Sequence, residues 1–233
     1  MKLSKKALLL SLLTTGLCHS MVTHASGMVP ETSLLIINEA DQGGSMNVKN
    51  TDAKAELLYT NIVDLPDDKD TRLIVTQPVV RVEAGQTQHI RFILQTTSPL
   101  KVEHIKRVTF EGIPQKMPGK NKVGFNIRQD LPVLIHPASL PEVKDAWTLL
   151  NWSAMGNSIT VKNPSAYVVR LAPQVELLPS HTTAKLLKSY ILPGETITIS
   201  ASANTAGNNQ VKFIPASRYG VQVENYIAPL NAN

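Results

Sequence analysis

The sequence predicts an all-β fold of two β-sandwiches, and three observations carry it. Thr, Val, Ile, Pro and Asn recur throughout while aromatics are 5% and charged residues 18%, a balance that favours strands and turns over helices. Short apolar alternations recur between clusters of Gly, Asn, Asp and Pro. A Pro-rich, acidic, aperiodic stretch, PASLPEVKDA, divides two such sets. At 233 residues and 42% hydrophobic content the chain can fill a core in each of two domains.

Residues 1–25 read as an export signal: Lys2, Lys5 and Lys6, the apolar block ALLLSLLTTGL, then Thr23, His24 and Ala25 before the cut. That block is too short to span a bilayer, and no membrane insertion of the mature chain is expected. Of the 23 Lys plus Arg, these three leave with the signal, so 20 face 18 Asp plus Glu and the formal +5 falls to about +2. Nucleic-acid binding needs a concentrated basic face, and none is expected. Cys18 also lies in the signal, which leaves disulfides, thiolate chemistry and Cys-based metal sites without a residue.

The first set of strands is expected at SLLIIN (33–38), SMNVKN (45–50), AELLYTNIVDL (55–65), TRLIVTQPVVRVE (71–83) and TQHIRFIL (87–94), with DQGG, NTDAK, PDDKD and AGQ as turns. HIKRVTFEGI and VGFNIRQDLPVLIHP follow, giving about seven strands, as in a sandwich of immunoglobulin type. After the linker, NSITVKN, YVVRLAPQVEL, KLLKSYILP, TITISAS, VKFIPA and YGVQVENYIA predict a second, smaller sandwich. The expected division is a signal at 1–25, a first domain at 26–138, a linker at 139–146 and a second domain at 147–233.

Catalytic and metal motifs are sparse. His89, His104, His136 and His181 lack the short spacings of paired metal ligands. The phosphate-binding glycine motifs and G-x-S-x-G are missing. Ser98 and Lys101 match S-x-x-K, but Pro99 breaks the helix that would present them. Asp67, Asp68 and Asp70 lack the rest of a calcium loop. The expectation is a protein that is not an enzyme and uses no cofactor or metal.

Four segments in order resemble the periplasmic pilus chaperones of the chaperone–usher pathway, the PapD-like family. PVVRVEAGQTQHIRF is similar to the family's P-P-x-x-R-L-x-P-G turn and the strand after it, with Ala84 in place of the usual Pro. VEHIKRVTFEGIPQK resembles the strand that leads into the subunit-binding strand. VGFNIRQDLPVLIHPASL resembles that strand itself, with His136-Pro137 in place of R-P. NSITVKNPSAYVVRL resembles the second domain's N-P-T-P-Y-x-V strand pair.

The resemblance implies two immunoglobulin-like domains set at an angle, periplasmic location, pilus subunits and an outer-membrane usher as partners, and a mechanism of strand donation. In that mechanism alternate apolar side chains of one strand fill a groove in an incomplete subunit, and the matching residues are Val123, Phe125 and Ile127. The same alternation would equally serve this protein's own core. Leu34 and Ile36 either line the subunit's other edge or pack at home.

The family holds a subunit's terminal carboxylate with an Arg in the first strand and a Lys five residues before the R-P proline. Here those positions are Ser33 or Leu34, and Pro132. Arg128, of the same strand parity as Pro132, is the candidate substitute, with Lys106 and Arg107 behind it. Arg91 and Glu103 match a family ion pair near the domain junction, whose acidic partner is not evident near Ser217, Arg218 and Tyr219. The competing reading is a structural subunit or adhesin of a surface fibre.

Overall fold

In a computed structural model of the chain, residues 27–66, 71–115 and 126–232 are described. The first domain is built from β1 (Met28–Pro30), β2 (Leu35–Asn38), β3 (Gly43–Asn50), β4 (Glu56–Val63), β5 (Arg72–Val75), β6 (Val79–Val82), β7 (Thr87–Gln95), β8 (His104–Pro114) and β9 (Arg128–His136). Hydrogen bonding runs in the order β5-β7-β3-β2-β9-β8-β4-β6, with β1 on β3. β2 is the strand that joins the two layers: Asn38 pairs with Gly43 of β3, while Leu35 to Asn38 run parallel to Val133 to His136 of β9. The alternation read from the sequence turns one side chain in two into the space between the layers. Ile37, Val48, Leu58, Ile90, Phe110 and Ile135 are wholly buried there.

Two expectations are corrected. TRLIVTQPVVRVE is two strands, because β5 pairs with β7 while β6 pairs with β4. Pro78 lies between them, and a residue without a backbone N–H suits the point where the chain changes layer. DQGG is only partly a turn, since its two glycines open β3. A Cβ on Gly44 would lie 2.9 Å from the Ile36 carbonyl, and one on Gly43 would collide with the Phe92 carbonyl.

The second domain comprises β10 (Asn151–Met155), β11 (Ser158–Lys162), β12 (Val169–Leu178), β13 (Thr182–Lys185), β14 (Tyr190–Ile191), β15 (Thr196–Ser200), β16 (Gln210–Pro215) and β17 (Tyr226–Ala232), ordered β13-β12-β16-β17-β10-β11-β15 with β14 on β12. Trp152 packs on Phe213 with ring centroids 5.3 Å apart at the centre of its core. KLLKSYILP is not one strand. It passes from the end of β13 through Leu187, which is 98% exposed, before β14 begins.

Each sandwich is pinned by a buried asparagine. Asn50 donates through Nδ2 to the Val82 and Lys54 carbonyls and accepts from the Asp52 N–H. Asn163 donates to the Tyr167, Ile191 and Leu192 carbonyls and accepts from the Ser165 N–H and hydroxyl. Backbone carbonyls at strand ends and in the adjoining loops are thereby satisfied. Among the described residues no helix is long and apolar enough to cross a membrane.

Candidate functional site

β9 is paired with β8 from Arg128 opposite Glu111 to Ile135 opposite His104. Its other edge is paired only from Val133 onward, by β2. Among the described residues, Arg128 to Pro132 therefore present an open strand edge, and unpaired backbone groups on such an edge are a template for another strand. Ile127, just before β9, is 43% exposed, and its side chain lies within 4 Å of where a Cβ on Gly27 would stand. Val123 and Phe125 lie outside the described residues.

The outward side chains of β9 are tied by charge to β8. Arg128 donates to Glu111 through Nε at 2.9 Å and Nη2 at 2.7 Å. These bonds hold the Glu111 carboxyl below its ordinary range, more than burial raises it. Arg107 donates through Nε to Asp130 at 2.6 Å and through Nη2 to the Asp130 carbonyl at 2.8 Å. Such pairs keep the two strands in register beside the open edge.

The proposed cations are thus not equivalent. Lys106 is corrected as an anchor candidate. It shares strand parity with Val108 and Phe110, points inward, is 0% exposed, and its ammonium is spent on Asp64 at 2.6 Å. Arg128 is already paired and stands four residues from Pro132, about 13 Å along an extended strand. Arg107 faces Pro132 directly across the β8–β9 ladder.

Leu34 packs at home. It is 4% exposed and joins Ile105, Leu134 and Val168 in a small apolar cluster that seals the first domain against the second. Ile36 packs half-buried on the same cluster. The edge-strand role for Leu34 is accordingly corrected: burying it between the domains leaves no face to offer.

The Arg91–Glu103 pair is corrected as well. Glu103 is 3% exposed at the junction, where its Oε1 meets His136 Nδ1 at 2.8 Å and accepts from Arg218 Nη1 at 2.9 Å, while its Oε2 accepts from the Val168 N–H at 2.9 Å. Arg91 lies on β7 opposite Ser45 and takes no part. His136 Nε2 meets the Leu140 carbonyl at 2.9 Å. The second domain supplies a cation, Arg218, where an acid was sought, because the acid is already present in the first domain. Nothing in the local sequence around Arg218 distinguishes it from a surface arginine; only the contact between domains does.

Arg170, on β12, was also missed. It turns into the same junction, and among the described residues its buried Nη1 has no hydrogen-bond partner. Burial pushes its guanidinium down from the ordinary value, and Arg107 nearby adds to the shift.

Two family models match the chain: the pili and flagellar-assembly chaperone PapD N-terminal domain over residues 27–141, and the pili-assembly chaperone PapD C-terminal domain over residues 145–227. The fimbrial chaperone YhcA of Escherichia coli is 53% identical over 218 residues, covering 93% of this chain and 96% of that protein. The chaperone protein MrkB of Klebsiella pneumoniae is 26% identical over 204 residues, covering 77% and 88%. Among solved structures, the Salmonella enterica SafA pilin in complex with the SafB chaperone matches with a TM-score of 0.70 at 18% identity, covering 90% of this chain and 99% of that one. At that identity it speaks for the two-domain fold. The chain belongs to the PapD-like family of pilus-assembly chaperones.

Proposed function

We propose that this chaperone captures pilus subunits in the periplasm by laying the stretch from Val123 through β9 into the groove of an incomplete subunit, and passes them to an outer-membrane usher. The observation that carries the reading is the open edge of β9 from Arg128 to Pro132, which runs on directly from the alternation Val123, Phe125, Ile127. A strand added there gains backbone pairing, and the alternate apolar side chains enter the subunit's core. Each such side chain, fully buried, contributes about 1.5–3 kcal/mol. Three of them, with backbone pairing, are enough to hold a subunit that would otherwise expose its core. The exchange needs no nucleotide, cofactor or catalytic residue.

The test is co-expression of a fimbrial subunit with the tagged chaperone and recovery of the complex from the periplasm. Phe125→Asp with Ile127→Asp places two charges where apolar groups must enter, and recovery of the subunit is expected to fall to background while the chaperone's thermal melt stays unchanged. Undiminished recovery would sink strand donation through this segment.

A further inference from the structure

His136 has a hydrogen-bond acceptor at each ring nitrogen. Nδ1 lies 2.8 Å from Glu103 Oε1, and Nε2 lies 2.9 Å from the Leu140 carbonyl. A neutral imidazole carries one N–H and one lone pair, so it can donate to only one of these oxygens. In either tautomer the other oxygen then faces a bare lone pair at hydrogen-bond distance, which repels it. Only the doubly protonated ring donates to both. With the ring charged, His136 and Arg218 stand against two carboxylates, Glu103 in direct contact with both and Glu142 at 3.4 Å from Arg218 Nη2.

The other charged and titratable groups of the junction come from several elements. Lys144 of the linker and Tyr167 and Arg170 of the second domain line one cavity with Glu103 and Arg218. Glu39 accepts from the Ala138 N–H two residues beyond the ring. His104 of β8 stands opposite Ile135. Burial, and then Glu103, push the Tyr167 phenol above its ordinary value, so it stays neutral while a histidine titrates. Lysine, arginine and carboxylate side chains ordinarily keep their charge across that range. His104 titrates in the same range as His136, so the two rings have to be told apart by experiment.

We propose that His136 is doubly protonated in the folded protein and that its proton makes the union of the two domains pH-dependent, firm in mildly acidic medium and weaker as the pH rises through the range where histidine loses its charge. Losing the proton removes one of the two bonds and sets a lone pair against an oxygen. The ring is 7% exposed, so water does not replace the lost donor. Over that range the folded state keeps a proton that the unfolded chain gives up, and stability falls as the pH rises. The effect reaches the second domain through Glu103, which accepts from Arg218 through the oxygen that meets His136 and from the Val168 N–H through the other. An arginine in this place would hold its charge at every pH; a histidine makes the bond conditional. His136 ends β9, so the strand with the open edge is the one the proton fastens to the second domain. The device operates whether or not that edge receives a subunit.

Calorimetry at about pH 6 and about pH 8 brackets the titration. The wild-type Tm is expected to fall by about 3–12 °C between them, the loss of one buried charge-assisted bond in a chain of this size. His136→Gln, which does not titrate, should melt at the lower level at both pH values. His136→Arg, charged at both, should also lose the pH dependence, while His104→Gln should keep the wild-type fall. A readout that needs no variant to fold is long-range proton–nitrogen NMR of the wild type, with His136 assigned through its backbone. At about pH 7 it should show protons on both ring nitrogens. A bare nitrogen on His136 at that pH, or a wild-type melt that does not change between the two pH values, overturns the proposal. So does a fall in Tm that survives in His136→Gln or disappears in His104→Gln.

Discussion

Replacing Glu103 with alanine tests the domain junction. The substitution removes a carboxylate that is 3% exposed and leaves the Arg218 guanidinium, 6% exposed at its side chain, and His136 facing an empty site. Breaking a buried pair from one side costs about 3–5 kcal/mol. Glu142, 3.4 Å from Arg218 Nη2 but 63% exposed, is screened by water and returns about 0–1 kcal/mol. The net loss is about 3 kcal/mol, and in a chain of this size each kcal/mol moves Tm by about 2–4 °C, so the melt should fall by about 6–12 °C. Differential scanning calorimetry at neutral pH reads it. Combining Glu103→Ala with Arg218→Met should recover part of the loss, because the second change removes the stranded charge. Arg91→Ala should move the melt by no more than a surface substitution does. The assignment is refuted if Glu103→Ala melts with wild type, or if Arg91→Ala costs as much as Glu103→Ala does.

Lys106 and Asp64 form a pair with unequal exposure, so their substitutions should be unequal as well. Asp64→Ala strands a buried ammonium and should cost about 3–5 kcal/mol by denaturant unfolding, whereas Lys106→Met leaves only an exposed carboxylate, should be near neutral, and should leave subunit capture intact. The Glu111 carboxyl is held below its ordinary value of 4.5 chiefly by Arg128. Its contribution to stability is therefore complete above 4.5 and is lost as pH falls through the lower folded value. A plot of Tm against pH should show this acid limb, and Arg128→Ala should flatten it. Asn163→Ala leaves the Tyr167, Ile191 and Leu192 carbonyls and the Ser165 N–H without their buried partner. At about 1–3 kcal/mol for each group left unsatisfied, it should destabilise more than any exposed substitution on β12, by calorimetry.

Much of the local architecture was legible. The alternation in SMNVKN, TQHIRFIL and HIKRVTFEGI became β3, β7 and β8 to within two residues, because strand periodicity and turn residues are short-range properties. The failures have specific causes. TRLIVTQPVVRVE is continuous as an apolar pattern and discontinuous as pairing, and which layer a strand joins depends on partners far along the chain. The short strands Met28–Pro30 and Asn151–Met155 went unread; MVP is too brief to carry a period, and NWSAM sits against the linker.

For the site, the sequence by itself determined the apolar alternation Val123, Phe125, Ile127, the lack of a cation at Ser33, Leu34 and Pro132, and the presence of an acid at Glu103. Tertiary structure decided which strand edge is open, that Lys106 points inward to Asp64, that Glu103 pairs with His136 and Arg218 rather than Arg91, and that Arg170 turns into the domain junction beside Gly220. The division follows from the physics. Side-chain alternation is set by the geometry of one strand. The partner of a charge is set by which surfaces the packing of two domains brings together, and that packing is governed by apolar groups such as Leu34, Ile105, Leu134 and Val168, whose contacts carry no mark in the sequence around each arginine.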